Sequence, residues 1–73
     1  MPVATHNQLQ VYEYRSFVVF LYLEQHTQWW FYKFYYSRFA PPDELEWSQP
    51  IDSEEQAREM AEFCIDEILL SFN

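Results

Sequence analysis

The chain has 73 residues, 49% of them apolar and 22% aromatic, with no glycine, one cysteine and a net charge of −8. That length supports a single small core and one domain. Without glycine there is neither a dinucleotide fingerprint nor a P-loop, a lone cysteine excludes an internal disulfide or a Cys-based zinc site, and four basic residues against twelve acidic ones argue against direct phosphate binding.

The apolar content separates the chain from the low-hydrophobicity, high-charge sequences that stay disordered. Its longest apolar run, residues 17–23, falls short of the roughly 18 residues that cross a bilayer. Residues 1–7 are polar and aperiodic, a leader without the basic and apolar regions of a signal peptide, so a cytoplasmic protein is expected.

Residues 8–37 are rich in Val, Tyr, Phe and Trp, the types that suit a pleated, partly buried surface. A first strand, about 8–14, alternates Leu9 and Val11 with Gln8, Gln10 and Tyr12. A second, about 16–24, is apolar on both sides and fits a central position. A third, about 28–37, contains Trp29, Trp30, Phe31, Tyr32, Lys33, Phe34, Tyr35 and Tyr36 in succession. Gln25, His26 and Thr27 form a polar break of hairpin length. Arg15 and Ser16 lack the Gly or Asn that two-residue hairpins prefer, so the first two strands are read either as a hairpin or as one bent strand.

Residues 38–51 form a proline-rich connector, in which residues 45–49 offer a short fourth edge strand around Trp47, ended by Pro50. Residues 52–72 carry the helix. Asp52 or Ser53 can cap it, with Glu55 or Gln56 completing a capping box. At 100° per residue, Ala57, Met60, Ala61, Cys64, Ile68 and Phe72 gather on one face, and Glu55, Glu59, Glu62 and Asp66 on the opposite one. The fold expected is α+β: a small antiparallel β-sheet of three strands, with a possible fourth, and one C-terminal amphipathic helix packed on one face.

One helix about 10 Å wide covers only one face of such a sheet. Pairing Leu23 with Gln28 places Phe17, Val19, Leu21, Trp30, Tyr32 and Phe34 on one face. The other then holds Val18, Phe20, Tyr22, Trp29, Phe31, Lys33 and Tyr35. The face with Lys33 is the poorer candidate for burial. An uncovered patch of Phe20, Tyr22, Trp29, Phe31 and Tyr35 is therefore expected to be a protein interface, first of all a homodimer. The competing reading covers that face with the chain's own leader or a curled strand.

Charge is divided along the chain. Residues 1–40 hold Glu13 and Glu24 against Arg15, Lys33 and Arg38, a net of +1, and residues 41–73 hold ten acids and Arg58, a net of −9. The helix row Glu55, Glu59, Glu62 and Asp66, with Asp43, Glu44 and Glu46, suggests an alternative: an acidic inhibitor of the phage type that imitates nucleic acid and binds a basic protein. The plainer reading is a solvated, solubilising face.

No catalytic set is visible. His6 and His26 have no neighbouring nucleophile or carboxylate at a recognisable spacing, and Cys64 falls on the apolar helix face. No enzyme activity, cofactor, metal site or small-molecule substrate is expected. The partner expected is a second copy or another protein, not nucleic acid and not a membrane.

Overall fold

A computed structural model describes residues 8–39, 41 and 44–72. The elements follow in the order β1 (Gln8–Tyr14), β2 (Phe17–Glu24), β3 (Trp29–Tyr36) and α1 (Glu54–Ser71). The three strands form one antiparallel sheet in the order β1-β2-β3, with the helix against one face, so the α+β plan expected from the sequence is the observed one. The expected leader 1–7 lies outside the described residues.

β1 and β2 are separate strands. Tyr14 pairs with Phe17, which leaves Arg15 and Ser16 as a two-residue turn. Both have positive φ, 49° and 72°. A turn of this kind needs left-handed backbone at both central positions, and tertiary bonds hold it without glycine. The Ser16 carbonyl accepts from the Ser37 N–H at 2.8 Å, and the Arg15 guanidinium reaches Asp66 on the helix at 2.8 Å.

The β2–β3 loop is four residues, 25–28, one more than the sequence suggested, because Leu23 pairs with Trp30 and not with Gln28. Glu24 organises this loop: its carboxylate accepts from the Thr27 N–H at 2.7 Å and the Thr27 hydroxyl at 2.8 Å. Those two bonds hold its carboxyl below the usual range. The register therefore differs from the expected one by two residues. Side chains alternate with a period of two, so every residue keeps its expected face.

No fourth strand forms among the described residues. Residues 48–51 instead run beside β3 with a single bridge, Trp30 to Ile51. Trp30 and Ile51 exchange backbone bonds of 2.8 and 2.9 Å, and Ser48 bonds Tyr32 through its N–H at 2.8 Å and its hydroxyl at 3.0 Å. Pro50 has no N–H to extend the ladder.

Ser53 is the helix cap; its hydroxyl accepts from the Gln56 N–H at 3.1 Å. Glu54 and Glu55 in the first turn complement the positive end of the helix dipole. The core consists of Phe17, Val19, Leu21, Ile51, Ala57, Ala61 and Ile65, with Tyr12, Tyr14, Trp30, Tyr32, Phe34 and Tyr36 packed around it. The sheet face chosen from the sequence is thus the one under the helix. The helix stripe differs: Ile65 is fully buried, whereas Met60 and Phe72 are exposed. A three-stranded sheet takes only the narrow 57, 61, 65 stripe, and the two alanines let the backbone approach closely.

Candidate protein-interaction surface

The face of the sheet away from the helix is built by alternation. The registers place Leu9, Tyr22 and Phe31 in one row across the strands, and Val11, Phe20 and Lys33 in the next. Glu13, Val18 and Tyr35 follow, and Trp29 stands beside Glu24 at the other end. All five residues expected at an interface, Phe20, Tyr22, Trp29, Phe31 and Tyr35, lie on this one face. Trp29 is exposed and the other four are half-buried.

Their partial burial has two sources. The rings cover one another: Phe20 stacks on Tyr35 at 6.0 Å and Tyr22 tilts against Phe31 at 6.3 Å. The connector also folds over part of the face, setting the Trp47 ring 5.3 Å from Tyr22. Lys33 is held between rings, its Nζ 4.2 Å from the centre of Trp47 and 5.5 Å from that of Phe20. A cation so placed is attracted by the electron-rich faces of the rings. Between the connector and the sheet remains a groove of about 580 Å³ lined by Leu9, Phe20, Lys33, Tyr35, Leu45 and Trp47 among others.

Leu9 and Val11 extend the patch onto β1 and are 57% and 55% exposed. Their alternation with Gln8 and Gln10 was visible in the sequence, but their exposure depends on β1 being an edge strand. A second apolar surface, also unforeseen, lies at the far end of the helix. Phe17, Tyr36, Phe39, Ile68, Leu69 and Phe72 line a cleft of about 400 Å³.

No protein-family model, curated protein or solved structure matches the chain. What the molecule does therefore rests on its own surfaces.

The acidic row of the helix does not stay together. Glu55 and Glu59 are exposed, but Glu62 and Asp66 turn toward β1. The Tyr12 hydroxyl donates to Glu62 and the Tyr14 hydroxyl to Asp66, each at 2.9 Å. Arg15 and then Tyr14 hold the Asp66 carboxyl below its ordinary range. The bond to Asp66, with partial burial, raises the Tyr14 hydroxyl in turn. Burial first, then the bond to Glu62, raises Tyr12. Nearer the helix start, Gln10 bonds both Glu54 and Arg58, and Arg58 lies 4.9 Å over the Tyr12 ring. These contacts form a polar seam along one side of the helix. Of the additional acids, Glu44 and Glu46 are exposed on the connector, and Asp43 lies outside the described residues.

Cys64 is a free, half-buried thiol whose sulfur is 3.6 Å from the Tyr32 hydroxyl. Burial, then this contact, pushes the Tyr32 hydroxyl up to about 12. His26 is exposed in the β2–β3 loop, and His6 lies outside the described residues. Among the described residues, no group of three or more His, Cys, Asp or Glu side chains is placed to hold a metal ion, and no helix is long and apolar enough to cross a membrane.

Proposed function

We propose that the protein is an association module that acts through the uncovered face of its sheet, and that its first partner is a second copy of itself. The observation that carries this reading is the apolar face from Leu9 and Val11 through Phe20, Tyr22 and Phe31 to Trp29, over which the described part of the connector sets the Trp47 ring and leaves an open groove. Aromatic side chains of this kind dominate interface energetics, because they bury large areas at low entropic cost. In such a pair both acidic helices stay outward, and the face itself carries Lys33 with Glu13 and Glu24 while Glu44 and Glu46 line its groove, so added salt should strengthen the association by screening these acids.

Nucleic-acid mimicry by the helix is the lesser reading, because Glu62 and Asp66 are bonded to β1 and only Glu55 and Glu59 of the row stand exposed. Sedimentation equilibrium from micromolar to millimolar concentration tests the association. The expected mass is that of an oligomer, and the double variant Trp29→Ser, Phe31→Ser lowers it while leaving the unfolding midpoint of the dissociated chain nearly unchanged. A strict monomer over that range overturns the reading.

A further inference from the structure

The sheet has two outer edges, and the chain treats them differently. On β3, Trp30 bonds Ile51, Tyr32 bonds Ser48, and the Tyr36 carbonyl accepts from the Phe39 N–H at 3.1 Å. On β1, nothing among the described residues occupies the outer edge.

Which groups point outward there follows from the ladders. Trp30 and Tyr32 direct their backbone groups away from β2, so the residues opposite them, Leu23 and Leu21, direct theirs toward β1. Their partners on β1 are Gln8 and Gln10. The alternate residues Leu9, Val11 and Glu13 therefore aim their N–H and C=O groups outward. Proteins usually blunt such an edge with Pro, Lys, a bulge or a very short strand. β1 has seven residues, no Pro, no Lys and an unbroken register with β2.

We propose that the outer edge of β1 is a second self-association surface, where β1 of one copy pairs antiparallel with β1 of another about Gln10, joining two three-stranded sheets into one of six. This extends the self-association reading but uses a different surface, the backbone edge and not the aromatic face.

Three observations favour a second copy as the occupant. The first is self-complementarity: pairing about Gln10 sets Leu9 opposite Val11 twice, and all four side chains lie on the uncovered face. The second is charge. The only ionised residue of β1, Glu13, falls beyond the paired stretch of residues 8–12, whereas pairing about Val11 would oppose it to Leu9. The third is exposure: Leu9 and Val11 are 57% and 55% exposed, and pairing with a second copy sets each against its counterpart while adding main-chain bonds.

Val11→Pro is the direct test, because it removes an outward N–H and leaves the bonds to β2 in place. The expected result is a halved mass with unchanged helical circular dichroism. A mass that Val11→Pro leaves unaltered, but that Trp29→Ser with Phe31→Ser reduces, overturns the edge pairing and keeps the face. The opposite pattern supports the edge and overturns the face. If Val11→Pro does not fold, Gln10→Cys in a Cys64→Ser background decides. Cα atoms in a pair that does not exchange backbone bonds lie about 4.5 Å apart, within disulfide reach, so mild oxidation should yield a covalent dimer of native circular dichroism. Failure to cross-link at Gln10→Cys overturns the proposal.

Discussion

Alternate residues of β2 meet two different environments only a side chain apart. Phe17, Val19 and Leu21 are buried, the last two completely, whereas Val18, Phe20 and Tyr22 on the other side are half-buried. Both sets are apolar, so hydrophobicity alone does not distinguish them. The difference lies in what covers them. On one side a whole helix lays down Ala57, Ala61 and Ile65. On the other, the connector contributes chiefly Trp47. A strand apolar on both sides in so small a protein has surface left over, and the remainder is where contact with another chain brings most.

Substitution on the two sides should separate them most clearly. Leu21→Ala opens a cavity in the covered face and should cost about 2–5 kcal/mol by denaturant unfolding, a large share of a small domain's stability. Phe31→Ala should cost the dissociated chain well under half of that, with its main effect on the oligomer mass. Equal losses at the two sites would mean that both faces are core.

The faces are set by the register that the Arg15 and Ser16 turn fixes. Ser16→Gly relieves a φ of 72° and should raise stability by up to about 1 kcal/mol with the mass unaffected. A loss of stability would mean that the freedom glycine adds to the unfolded chain outweighs the strain it relieves. On the uncovered face, Trp47→Ala removes the ring over Lys33 and Tyr22. It should cost the isolated chain about 0.5–1 kcal/mol and free more of the face, which hydrophobic-dye binding will report.

The smallest effects are those of pH. Asp66 is depressed in the folded state, so its contribution is present above the ordinary carboxylate range and fades as the solution is acidified through its folded value. Asp66→Asn should remove its share of that acid limb of the melting profile and leave the share of Glu24, whose carboxyl is likewise depressed. Tyr32 is raised to about 12 from an ordinary value of 10.0, so stability should fall between those two values as pH rises, and Tyr32→Phe should remove that part of the alkaline limb.

Much of this plan was legible in the sequence. The β1 bounds match, and Ser53 with Gln56 announces the helix start, because alternation and capping are local patterns. The two-residue error in the β2–β3 register was harmless to the faces for the same reason. Arg15 and Ser16 were opaque, since nothing local makes two non-glycine residues adopt positive φ; Ser37 and Asp66, distant in sequence, hold them there. Periodicity predicts a broad helix stripe that includes Met60 and Phe72, which are exposed, because it gives a direction but not the width of the surface that receives it.

By itself, then, the sequence determined the alternation of the strands, the identity of the two sheet faces and the division of charge between the halves, all properties of neighbouring residues. Only the tertiary structure decided that Tyr12 and Tyr14 draw Glu62 and Asp66 out of the acidic row, that residues 48–51 bond the β3 edge, and that no described residue pairs with the outer edge of β1. Each of these joins or separates groups far apart along the chain, and local propensity carries no information about which of them will meet.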